Sequence, residues 1–199
     1  MLVGRGRSGH VFLTPHEPAR VLAYTEFGSP SIVNAVHALA SQQATLRGRT
    51  VDLVDAPTAA SVSNNLSVQN HDVLLVHDQA LVGPSGMNSI GLAMSGTLGS
   101  FAGDGGVVVV LATSDPPMSA FLASSGLLPN AGLVSVTGSL LTNHEPASAV
   151  GLGVPSPLLA TPATAGITSS MTPDPWLTYV MSSDAVGSPP VVVHRVIGP

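Results

Sequence analysis

The side chains best suited to chemistry in this chain fall at the ends of its apolar runs. Glu26 and Ser29 follow the first run, His77 and Asp78 the third, and Thr113, Ser114 and Asp115 the fourth, while His144 and Glu145 come later. Ligands of open α/β sheets bind beyond the carboxyl ends of the strands, so these residues form one expected polar rim. Two reactive arrangements can be drawn from it. Ser114 as nucleophile, His144 as base and Asp78 as orienting carboxylate would make a hydrolase. His77-Asp78 with His144-Glu145 would offer nitrogen and oxygen ligands to a metal.

Each arrangement meets an objection in the neighbouring residues. Ser114 is followed by Asp115-Pro116-Pro117 rather than lying in a Gly-x-Ser-x-Gly elbow. A helix-capping role for Ser114 or Asp115 explains the same residues more simply. No HExxH or other fixed ligand spacing accompanies the histidines, so neither a metal nor a cofactor is expected. Gly103-Asp104-Gly105-Gly106 precedes a strand instead of following one, which makes it a turn and not a phosphate cradle. Thr14-Pro15-His16-Glu17-Pro18 echoes Thr142-Asn143-His144-Glu145-Pro146, and chance in a Pro- and Thr-rich chain accounts for it. Trp176 and Tyr179 are read as packing residues rather than a stacking surface for a sugar.

Composition narrows the partners. Of 199 residues only 9% are charged, against roughly 25% in an average domain, while 44% are hydrophobic. The six basic residues are all arginine and the net charge is −5. A nucleic-acid footprint needs clustered cations, so nucleic acid is excluded as a partner. The absence of cysteine removes disulfides, thiolate metal sites and a Cys nucleophile. No run approaches the roughly 20 apolar residues of a membrane span. The first residues carry arginines but no apolar core after them, so no signal peptide is recognised. A soluble protein is expected, cytoplasmic, or exported if a leader is missing from the gene start.

Residues 1–19 are read as a loose arm and residues 20–199 as one domain. Strands are expected at 20–27, 50–54, 71–78, 107–111 and 133–136. Between them, Ile32, Val36, Leu39, Gln43 and Leu46 trace a helical stripe after Pro30, and Gly48 marks its stop. Residues 59–70 read as a short helix or a loop. Met87, Ile90, Met94, Leu98 and Phe101 trace a helix over 85–102, and 117–128 reads as another. Prolines beyond Thr142 forbid long helices there, leaving short strands at 167–171, 177–181 and 191–197, the last two as a hairpin. Strands alternating with helices, and apolar without interruption, argue for an α/β fold with a largely parallel, flavodoxin-like, doubly wound sheet. The last strands make a short antiparallel extension.

The order of these parts resembles the class I glutamine amidotransferase-like superfamily, and within it the ThuA-like (trehalose-utilisation) proteins. Arg20-Val21-Leu22-Ala23-Tyr24 is similar to that family's first strand, and Gly48 to Val54 to its "G-x-x-V-D-L-V" second strand. His71-Asp72-Val73-Leu74-Leu75-Val76 matches its "x-D-V-L-V" strand, and Phe101 to Val108 its "Y-V-x-x-G-G-G-L-V" passage. Asn143-His144-Glu145-Pro146 with Gly151 to Pro155, and Pro190 to Arg195, resemble its later segments. The resemblance implies the flavodoxin-like fold and makes a carbohydrate or another small polar metabolite the natural ligand. It does not carry over the chemistry. The strand after the Gly-Gly passage runs into Leu111-Ala112-Thr113-Ser114, where amidotransferases hold Cys and ThuA-like proteins tend to hold His. The expectation is a non-catalytic binding or assembly module, a homo-oligomer among its forms, with a neutral small molecule or sugar at the rim. A hydrolase using Ser114, His144 and Asp78, or a metal, is the alternative.

Overall fold

Strands that are apolar throughout must bury both faces, and four of them do so here in one parallel sheet. They are β1 (Ala19–Tyr24), β2 (Val51–Ala56), β3 (Val73–Val76) and β4 (Val107–Val110), in the order β2-β1-β3-β4. The computed structural model describes residues 18–114, 116–128, 132–148, 153–168 and 177–195. The expected arm therefore lies almost wholly outside the described residues, as do Asp115 and Trp176.

Four helices among the described residues connect or flank the strands: α1 (Pro30–Leu46), α2 (Ala59–Asn65), α3 (Pro84–Gly103) and α4 (Pro116–Ser124). Alternation along each strand sends Leu22, Tyr24, Leu74, Val76, Val108 and Val110 to one face, where Met87, Met94 and Leu98 of α3 and Phe121 of α4 complete the main core. Val21, Ala23 and Leu75 point to the other face, against Val36 of α1. Each large side chain so buried contributes roughly 1.5–3 kcal/mol. This is a doubly wound, flavodoxin-like α/β fold.

Two features depart from the expected pattern. The stripe of α1 is rotated: Val33 is the buried residue, whereas Ile32, Leu39 and Leu46 are 53%, 54% and 72% exposed. Apolar residues lie all round this uncharged helix, so spacing alone allowed more than one inward face. The expected fifth strand, residues 133–136, does not extend the parallel sheet. Its residues lie in and just after β5 (Gly132–Ser135), which pairs antiparallel with β8 (Ala165–Thr168) in a separate ribbon.

β6 (Leu140–Asn143), β7 (Leu158–Leu159), β9 (Leu177–Ser183) and β10 (Pro190–Arg195) form the antiparallel extension, ordered β10-β9-β6-β7. The hairpin of the last two strands is present as expected. Ile167 and Val193 enter the main core. Arg195 Nη1 donates to the carbonyls of Gly126 and Leu127 at 2.8 and 3.0 Å, tying β10 to the turn that follows α4.

Glycine placement sets how closely α3 and α4 approach. A Cβ on Gly91 would collide with Ser124 Oγ and stand 3.0 Å from the Phe121 carbonyl oxygen. Nothing lies within 4 Å of the Cβ position on Gly96. Opposite outcomes are expected within one helix. Gly91→Val should lose about 2–3 kcal/mol by overpacking, and Gly96→Ala should gain about 1 kcal/mol of helix propensity. Urea midpoints of the two variants test this, and a Gly91→Val midpoint equal to wild type would refute the close-approach account.

Candidate functional site

The crossover from β2 back to β3 leaves β1 and β3 as neighbours, the switch point at which doubly wound sheets open a crevice. The segments leaving β1, β3 and β4 carry Glu26 and Ser29, His77 and Asp78, and Thr113 and Ser114. Thr113 Oγ1 donates to Asp78 Oδ2 at 3.3 Å, joining the exits of two adjacent strands.

Glu26 has a mainly architectural position. Its Oε2 accepts from Tyr24 Oη at 2.9 Å and from the Ala59 amide at 3.0 Å, where the first turn of α2 presents an unpaired N–H. Burial, reinforced by the hydrogen bond and charge of Glu26, pushes the Tyr24 hydroxyl far above its ordinary pKa. The phenol is therefore a fixed donor and not a proton-transfer group. Ser29 is the N-cap residue of α1 but makes no capping bond, and its Oγ pairs with Ser31 Oγ at 3.1 Å.

Three residues absent from the expected rim contribute most to its form. Gln79 is fully buried. Its Oε1 accepts from the Phe27 amide at 2.7 Å, and its Nε2 donates to the carbonyls of His77 and Tyr24 at 2.8 and 3.3 Å. One amide thus clamps the loops after β1 and β3 together. His37 of α1 reaches His77, with Nε2 atoms 3.0 Å apart, and Asp55 Oδ1 of β2 lies 3.9 Å from His37 Nε2. His77 is 1% exposed, and its Nδ1 has no hydrogen-bond partner. Burial, with the adjacent His37, lowers the His77 pKa to about 4, so its ring is neutral at pH 7. His37 stands four residues after Val33, on the face of α1 that packs, a face that the apolar spacing of the helix does not single out.

His144 and Glu145 belong to the antiparallel extension. The His144 amide bonds the Val180 carbonyl, and its Nε2 lies 2.7 Å from Ser182 Oγ. The hydrogen bonds thus give His144 to Ser182 and Asp78 to Thr113, and none among the described residues joins Ser114 to a histidine. The His144–Ser182 pair is a cross-strand contact, and His144 is exposed. Glu145 is exposed too, its amide bonded to Asn143 Oδ1 at 3.0 Å. Among the described residues, no cluster of three or more His, Asp or Glu groups could hold a metal ion.

The charge on the two ends of the parallel sheet differs. Glu26, Asp55 and Asp78 sit at or just past the carboxyl ends of the strands, whereas Arg20, Arg47 and Arg49 lie at or before the amino ends. Arg20 is paired there with Asp72, 2.7 Å away.

Fold and rim together define a flavodoxin-like α/β domain whose sheet carries carboxylate and histidine side chains at its switch point. Comparison of the chain with protein-family models, with curated proteins and with solved structures finds no match in any of the three. No helix among the described residues is long and apolar enough to cross a membrane.

Proposed function

We propose that this chain is a non-catalytic, ThuA-like α/β module that binds a small neutral polar ligand, a carbohydrate foremost, over the carboxyl ends of β1, β3 and β4. The observation that carries this reading is the charge of that end of the sheet. Carboxylates and imidazoles gather there, and the described arginines lie elsewhere. A phosphorylated ligand would meet repulsion from Glu26, Asp55 and Asp78 without a compensating guanidinium among the described residues. A hydroxylated neutral ligand would find acceptors in the carboxylates and a donor or acceptor in Thr113 and Ser114. The non-catalytic part rests on what the groups already do: Gln79 and Glu26 hold backbone amides, and among the described residues no hydrogen bond joins Ser114 to a histidine.

Amide-resolved NMR titration with glucose, maltose and glucose 6-phosphate tests the proposal. The neutral sugars should shift the resonances of residues 26–29, 77–79 and 113–114, and Asp78→Asn should weaken that response at least tenfold. Binding confined to the phosphorylated sugar, or no response at these residues, would overturn it.

A further inference from the structure

We infer that the amino end of the sheet carries a second binding site, a groove that takes a neutral polyol or a single saccharide unit. It lies between the segment joining α2 to β3 and the last turns of α3, at the end of the sheet opposite the crevice. Its volume is about 490 Å³, within the range of about 300–1,000 Å³ usual for small-molecule sites.

The polar groups around it are unengaged. Ser67, Gln69, Thr97, Ser100 and Asp104 line the groove, and among the described residues no hydrogen bond joins any of their side chains to protein. Several other hydroxyls on or next to the helices are engaged. Ser89 and Ser95 of α3 fold back onto the Ser85 and Leu92 carbonyls, and Ser119 and Ser125 do the same onto Pro116 and Leu122. That local bond is the usual resting place of a helical Ser or Thr. Thr97 and Ser100 forgo it and stay available to an occupant.

The groove is also held in shape. Arg20 is bound to Asp72 on one side and donates to the Val68 and Gln69 carbonyls on the other, so one guanidinium fixes the segment that forms a wall. Sites ordered before binding lose less entropy when they are filled. Gly96 keeps the facing wall low, since its missing Cβ would point into open space.

The lining selects the chemistry of the occupant. Hydroxyls and an amide can both donate and accept, and the Asp104 carboxylate can accept from two hydroxyls at once. Leu66 and Val68 supply apolar surface for the C–H face of a ring. No cation lines the groove, so phosphate and sulfate esters have no counter-charge there. A ring with hydroxyl edges and apolar faces matches this mixture.

This site does not depend on the reading of the crevice, and the test separates them. The full chain is titrated with myo-inositol, maltose and glucose 6-phosphate, monitored by backbone amide resonances. Saturable shifts are expected for residues 66–70 and 96–104 with the two neutral compounds. Gly96→Leu, which fills the groove at an exposed helical position, should weaken this response at least tenfold while circular dichroism shows the fold intact. Asp104→Asn should weaken it several-fold, and Asp78→Asn should leave it unchanged. The inference fails if neutral compounds produce no saturable shift in these residues, if Gly96→Leu leaves the shifts unaltered, or if only the phosphate ester binds.

Discussion

Gln79→Leu should lower the stability of this protein by about 4 kcal/mol, more than any other single exchange discussed here. The side chain is fully buried and its bonds to the Tyr24 and His77 carbonyls are buried with it, so those partners cannot turn to water once it is gone. Leucine fills a similar volume but offers nothing to the Phe27 amide or the His77 carbonyl, which Gln79 meets at 2.7 and 2.8 Å. Each buried group left without a partner costs about 1–3 kcal/mol, and the weaker bond to the Tyr24 carbonyl, at 3.3 Å, adds a smaller amount. Those groups sit in the segments leaving β1 and β3, so the loss should be felt at the crevice as well as in overall stability. Urea unfolding measures the first effect, and amide hydrogen exchange at residues 26–28 and 77–79 the second. A midpoint shift worth under about 1 kcal/mol would show that the clamp is dispensable.

The second large effect is a dependence on pH centred on His77. Its pKa falls from an ordinary 6.5 to about 4 on folding, because the ring is buried beside His37, with the more distant Asp55 only partly opposing the shift. The unfolded chain therefore takes up a proton that the native chain refuses. Stability from this source is undiminished above about pH 6.5, declines as the pH drops, and is lowered by about 3 kcal/mol once the pH is below 4. His71 adds to the slope in the same direction, since burial and Arg20 lower its pKa too. Asp72 acts at lower pH. Burial alone would raise its carboxyl, but the Arg20 guanidinium holds it below the usual carboxylate range, so its contribution is lost only as the pH falls through that depressed value. Denaturation of wild type and His77→Gln near pH 7 and near pH 4.5 should show a stability loss in wild type that the variant largely lacks. Equal losses in both proteins would assign the acid sensitivity to other groups.

The parallel sheet was largely legible because its information is local. Val73–Val76 and Val107–Val110 are apolar without alternation, and only a strand covered on both faces needs such a sequence. Residues 133–136 carry a similar short run, yet β5 pairs antiparallel with β8, some 30 residues onward in sequence. A run of this length has the same pattern in either ribbon, so its partner could not be read from it. The helical stripe of α1 failed for a related reason. Ile32, Leu39 and Leu46 keep a seven-residue period as regular as that of the residues that do pack, and the sheet selects between the two faces.

The candidate crevice divides in the same way. His77, Asp78 and Thr113 were recognisable because neighbouring parallel strands bring their exits together, and the Asp78–Thr113 bond follows from the β3–β4 register. His144 reads as part of that rim because it too follows an apolar run. The antiparallel pairing of β6 with β9 sets it opposite Val180, from where its ring reaches diagonally to Ser182 instead. Gln79 lies in a polar exit and His37 within an apolar helix, and neither position announces a buried polar contact in the sequence.

Composition and period alone were sufficient for the class of fold and for the lack of thiol chemistry. These depend on how many apolar or charged groups a segment holds and at what spacing, which are properties of neighbouring residues. The identity of the partners emerged only in three dimensions: β8 for β5, Ser182 for His144, His37 for His77, and Gln79 for the amide of Phe27. Such pairs join residues 30 to 50 or so positions apart, and their formation depends on the free energy of the whole packed arrangement rather than on any stretch of the chain taken by itself.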